Sequence, residues 1–165
     1  MMNIFDQAMA LEQEGESLYR QFALEAPDRG MKHIFTWLAD QELKHYRIFQ
    51  LLKACKPVSV AESPELRDVK DIFDGWKESE ACIQVKTTQA DVYRRALDIE
   101  KKSISVYESY ANQSTDEHQK GIFLTIAKEE KRHQWIVENI VEFITKPDVW
   151  VENAEFSHLD PDYYL

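Results

Sequence analysis

Two copies of the pattern Glu-x-x-His, Glu42–His45 and Glu130–His133, lie 88 positions apart, and each follows a lone glutamate by 30 positions, Glu12 and Glu100. A carboxylate and an imidazole three residues apart share one face of a helix, so each pair can reach a common point. The first pair sits in a stripe of Phe35, Leu38, Ala39, Tyr46 and Phe49, the second among Phe123, Ile126, Ala127, Val137 and Ile140. Glu12 falls in line with Ala8, Leu11, Tyr19, Phe22 and Ala23, and Glu100 with Ala96, Ile99, Tyr107, Tyr110 and Ala111. Apolar stripes of this period face a core. Four carboxylates and two imidazoles are therefore aimed into one interior. Ionised and unpaired, each acid would cost several kcal/mol or be forced to protonate, and the stripes hold no Lys or Arg to pair with them. Two divalent cations would balance the four charges, and a mixed oxygen and nitrogen set without thiolate suits iron or manganese, with zinc possible. The expected ligands are Glu12, Glu42, His45, Glu100, Glu130 and His133. A solvated acidic face with incidental histidines is the competing reading, and Phe, Ile and Ala at core spacing speak against it.

Other residues of these types are weighed in the same way. Tyr19 and Tyr107 each follow the lone glutamate of their helix by seven residues, close to two turns. They are read as donors to ligand carboxylates, with plain packing as the alternative. Glu14, Glu16 and Glu129 adjoin ligands in sequence but are read as solvated charges on other faces. His33 and His118 stand at helix starts and are read as exposed. A third Glu-x-x-His, Glu155–His158, has no apolar stripe and no repeat partner, so it is read as coincidence. Cys55 and Cys82 form no C-x-x-C pair and are read as reduced thiols.

The elements that must position the six residues follow from repeat and punctuation. At the same offset of 88, Ala8 falls on Ala96, Tyr19 on Tyr107, Ile34-Phe35 on Ile122-Phe123 and Ala39 on Ala127 without a gap. Each half is thus a similar pair of helices. The first is expected from about 3 to 25, stopped by Pro27, and the second from about 30 to 54. The third should run from about 88 to 112, and the fourth from a cap at Thr115 to about 145, before Pro147. Short links make each pair an antiparallel hairpin. The connection 56–87 is long enough to cross the bundle. Within it Ser63-Pro64-Glu65 reads as the start of a short helix that buries Leu66, Val69, Ile72, Phe73 and Trp76. The expected fold is all-α, an antiparallel four-helix bundle over 1–146 with a helix-bearing crossover. The tail 147–165, with Trp150, Phe156, Tyr163 and Tyr164, should pack on the bundle or on a partner subunit.

Composition agrees with this. Of 165 residues 44% are apolar and 30% charged, and four Gly and five Pro leave room for long helices. A formal net charge of −10 argues against nucleic acid or anionic membrane as a partner. No apolar run is long enough to span a bilayer, and the N-terminus lacks the pattern of a signal peptide, so the cytoplasm is expected.

The lone glutamates Glu12 and Glu100 with the two Glu-x-x-His motifs resemble the ferritin-like superfamily, and within it the rubrerythrin-type di-iron carboxylate proteins, over about 1–145. The resemblance implies two iron ions, with Glu42 and Glu130 bridging, Glu12 and Glu100 terminal and one histidine per metal. It further implies an oxidoreductase that reduces hydrogen peroxide, or dioxygen; the long crossover and the aromatic tail suggest a small oligomer, expected to be a homodimer. Two departures stand out. The position three after Glu100 is Ser103, where rubrerythrins often carry a further glutamate linked with their peroxide chemistry. The cysteines of a rubredoxin-like domain are lacking, so electrons would come from a separate donor. A ferroxidase or iron-handling protein and a non-enzymatic metal-binding scaffold or sensor are the alternative functions.

Overall fold

The computed structural model describes residues 3–61, 66–78, 87–146 and 150. Among the described residues five helices follow one another: α1 (Ile4–Glu25), α2 (Arg29–Lys53), α3 (Leu66–Glu78), α4 (Thr87–Gln113) and α5 (Glu117–Thr145). Among the described residues none is a strand, and no helix is long and apolar enough to cross a membrane.

Local chemistry sets most of the boundaries. Asn3 caps α1 by accepting from the Phe5 amide at 2.9 Å, and Ala26, held extended ahead of Pro27, ends it. Asp28 caps α2 through the Met31 amide, and its other oxygen accepts from the Trp76 indole of α3 at 3.0 Å. One side chain thus starts a helix and anchors the crossover. At the far end of α2, Cys55 takes a positive φ of 52°. The Cys55 and Lys56 amides return to the Leu52 and Leu51 carbonyls, a Schellman closure in which glycine is the usual residue. The α5 cap differs from the expected one: Asp116, not Thr115, accepts from the His118 and Gln119 amides. Its carboxylate satisfies two orphan donors, more than a threonine hydroxyl one residue earlier could reach.

α1 packs most closely on α2, and α4 on α5, as the short links require. Tyr19 reaches Glu100 and Tyr107 reaches Glu12, so α1 and α4 run antiparallel. His45 meets Glu129 and Glu130 while His133 meets Glu42, so α2 and α5 do likewise. The repeat is therefore a pseudo-two-fold in space. In the crossover, α3 lays Val69, Phe73 and Trp76 on the bundle, with Ile72 partly buried. Trp76 stacks on Phe143 at 4.8 Å. Trp150, from the tail, is buried against Phe143 and Phe73. Phe156, Tyr163, Tyr164, His158 and Cys82, the start of the crossover helix at 63–65 and the side chain of Leu66 lie outside the described residues.

The core falls into two apolar blocks. One gathers Tyr19, Phe22, Met31, Phe35, Leu38, Tyr93, Val137 and Ile140. The other gathers Ala8, Leu11, Phe49, Tyr107, Phe123 and Ile126. On every long helix the expected ligand positions lie between a residue of one block and a residue of the other. The polar residues form a layer sealed at both ends by hydrocarbon.

Candidate metal centre

α1 brings Glu12 to this layer, α2 brings Glu42 and His45, α4 brings Glu100, and α5 brings Glu130 and His133. All six are at most 3% exposed. They form two overlapping groups able to hold an ion, Glu12, Glu42, His45 and Glu130, and Glu42, Glu100, Glu130 and His133, with the ligating atoms of each within 4.8 Å of one another. Glu42 and Glu130 belong to both groups. Nδ1 of His45 lies 2.7 Å from Glu130 Oε1 and 3.6 Å from Glu12 Oε2. Nδ1 of His133 lies 3.0 Å from Glu42 Oε1 and 3.1 Å from Glu130 Oε2. The two imidazoles stack at 5.7 Å across the layer.

Hydrogen bonding leaves a gap that a cation would fill. Glu12 Oε2, Glu42 Oε1, His45 Nδ1 and Glu130 Oε1 are buried and have no hydrogen-bond partner. The close approaches among them lack hydrogen-bond geometry. Orphaned polar atoms are rare in protein interiors. Four of them converging from three helices could serve as ligands, and the residues present fit two metal ions.

The charges agree. Burial, with the neighbouring charge of Glu130, raises the carboxyls of Glu12, Glu42 and Glu100 above the ordinary range. For Glu130 burial works in the same direction, but the charges of His45 and His133 outweigh it and hold the group below that range. For His45 burial opposes protonation, and the charge of Glu130 with contacts to Glu12 and Glu129 overrides it, so its pKa is raised well above the usual value. Without metal the layer keeps protons that cations would displace.

Five neighbours complete the surroundings. The Tyr19 hydroxyl donates to Glu100 and the Tyr107 hydroxyl to Glu12. Burial and the adjacent carboxylates raise both phenols and keep them protonated as donors. Gly15, one turn after Glu12, makes room for Glu42, because a Cβ there would stand 2.8 Å from Glu42 Oε2. Its counterpart in the repeat, Ser103, is also buried. Trp37 sets its ring edge-on to His133 at 5.6 Å.

One expectation fails at this level. Glu129 is not a solvated charge: it is 3% exposed and accepts from His45 Nε2 at 2.6 Å. Burial tends to raise its carboxyl, but the hydrogen bond and charge of His45 and the charge of Lys44 outweigh that and lower it. The residue follows Ile126 by three and precedes His133 by four, which places it on the flank of the buried stripe. That spacing was the available signal, and its adjacency to Glu130 concealed it. Glu14 is exposed and Glu16 pairs with Arg20, while His33 and His118 are exposed.

Among known proteins, the family model described as Rubrerythrin matches residues 3–140. No curated protein and no solved structure matches the chain.

Proposed function

We propose, from the premise that the chain belongs to the rubrerythrin family, that it is a di-iron oxidoreductase reducing hydrogen peroxide, or dioxygen, with electrons from a separate donor. The observation that carries this reading is the pair of overlapping, fully buried ligand groups that share Glu42 and Glu130. A shared pair of carboxylates suits two ions held side by side rather than two independent sites. Glu12 with His45 would complete one position and Glu100 with His133 the other. Bound iron would supply the electrons for reductive cleavage of an O–O bond, and peroxide with two electrons and two protons gives two waters.

The chain's own residues do the rest. Tyr19 and Tyr107 each occupy one oxygen of a terminal carboxylate and so restrict its rotation. The apolar blocks on both sides keep bulk water from the layer, which strengthens every electrostatic interaction in it. Ser103 stands on α4 where a further glutamate often stands in rubrerythrins, so the proposed chemistry proceeds on a fixed ligand set. A homodimer in the cytoplasm is the proposed working form.

The test compares iron-loaded and metal-free protein for peroxide consumption with a chemical reductant present. Faster consumption by the loaded protein is expected, and equal, slow consumption by both would end this reading. Turnover of many Fe(II) per chain by a large hollow assembly would instead indicate iron handling. Permanent retention of zinc or manganese with no response to peroxide would indicate a scaffold or sensor.

A further inference from the structure

The pseudo-two-fold that relates the two candidate ligand groups is broken by charge at one buried position of the repeat, 129 in one half and 41 in the other. On the His45 side Glu129 accepts from Nε2 at 2.6 Å, which leaves Nδ1 turned towards the ligand layer. In the repeat the counterpart of Glu129 is Gln41, also buried, at 8% exposure. The register therefore sets a carboxylate behind one imidazole and a neutral carboxamide at the matching place for the other. The cationic residues at the matching repeat positions do not cancel this difference. Lys44 lies 3.5 Å from Glu129, and its counterpart in the repeat is Arg132, so each half supplies one positive charge and only one supplies the carboxylate.

We infer that Glu129 and Gln41 make the two metal positions unequal, the ion on the His45 side being bound the more tightly and first. A carboxylate that accepts the outer N–H of a ligating imidazole raises the basicity of its inner nitrogen, whereas a carboxamide oxygen does so far less. Glu129 is a positioning residue, since it acts on the ion through His45. The inference rests on the two-ion reading above and adds an order of filling to it.

The test is a calorimetric titration of metal-free protein with Co(II), with cobalt ligand-field absorption recorded in parallel. In wild type the two binding steps are expected to be separated by more than the statistical ratio for two equivalent sites. E129Q, which keeps the shape of the side chain, should weaken the tight step by about 10- to 100-fold and draw the steps together. Q41E should tighten the weak step, also drawing them together, and the double exchange should restore two separated steps. Because Q41E adds a carboxylate instead of removing one, it decides the matter even if E129Q folds poorly. Two steps that neither exchange moves, or an E129Q loss shared equally by both, would overturn this inference alone. No Co(II) binding by wild type would overturn it together with the two-ion reading.

Discussion

Glu130 approaches both histidines, Oε1 towards His45 and Oε2 towards His133, at 2.7 and 3.1 Å. Burial tends to raise its carboxyl, but the charges of these two histidines hold it below the ordinary carboxylate range. Glu130→Gln should therefore remove a ligand common to both positions, and elemental analysis after iron loading should find fewer than two ions per chain. Undiminished loading would contradict the shared role. Gly15→Ala addresses the same layer from behind: the added methyl would collide with Glu42 Oε2 at 2.8 Å. It should lower metal affinity by about tenfold, on the order seen when a ligand's supporting contacts are lost, whereas Gly121→Ala, in open space, should leave affinity unchanged. That these six residues converge was legible in the sequence because each is duplicated at one offset and each interrupts an apolar stripe. Glu129 was not, since its duplicate is a glutamine and a repeat search rewards identity. Gly15 was not legible either, because the need for a missing side chain shows only when a neighbouring helix is in place.

At the scale of elements, the long helices kept close to the ends expected from Pro27, Pro147 and the apolar period, and the α5 cap departed from the expected one by a residue. Cap choice depends on which carboxylate meets two amides, as Asp116 does, and sequence alone offers several neighbouring candidates. Asp28 serves both α2 and Trp76. Asp28→Ala should cost about 1–2 kcal/mol of stability, seen as a lower denaturant midpoint, and a change within error would show that the crossover is anchored elsewhere. Cys55 is an exposed residue at φ 52°, a conformation that costs a side chain about 1–2 kcal/mol. Cys55→Gly should raise the midpoint, the gain being reduced by the chain freedom that glycine adds to the unfolded state. A lowered midpoint would contradict the assignment of this helix end.

For the whole molecule, the buried acidic layer is a stability cost that bound metal would relieve. Glu12, Glu42 and Glu100 have raised pKa values in the metal-free fold. Between the ordinary carboxylate value and the raised one, the folded state holds protons that the unfolded chain has released, so stability falls as pH rises. The raised His45 adds a contribution of the same sign, present at low pH and lost as pH climbs through its folded value. Glu129 and Glu130 are lowered. Their contribution is complete above the ordinary carboxylate range and lost only in acid. The melting temperature of metal-free protein should therefore decline between about pH 5 and 8, while that of metal-loaded protein should hold or rise, because ligand deprotonation favours the ion. Parallel pH profiles for the two forms would contradict this. The bundle, its hairpins and its crossover were legible because period, punctuation and repeat all point to one architecture. The sealing of the layer by two apolar blocks emerges only when four helices are brought together. The central claim, that this sealed layer binds a pair of ions, is tested most directly by anaerobic titration of metal-free protein with Fe(II), followed by one addition of peroxide under near-ultraviolet observation. The account predicts saturation at two irons per chain and then a new absorption band. The absence of saturable binding would contradict it.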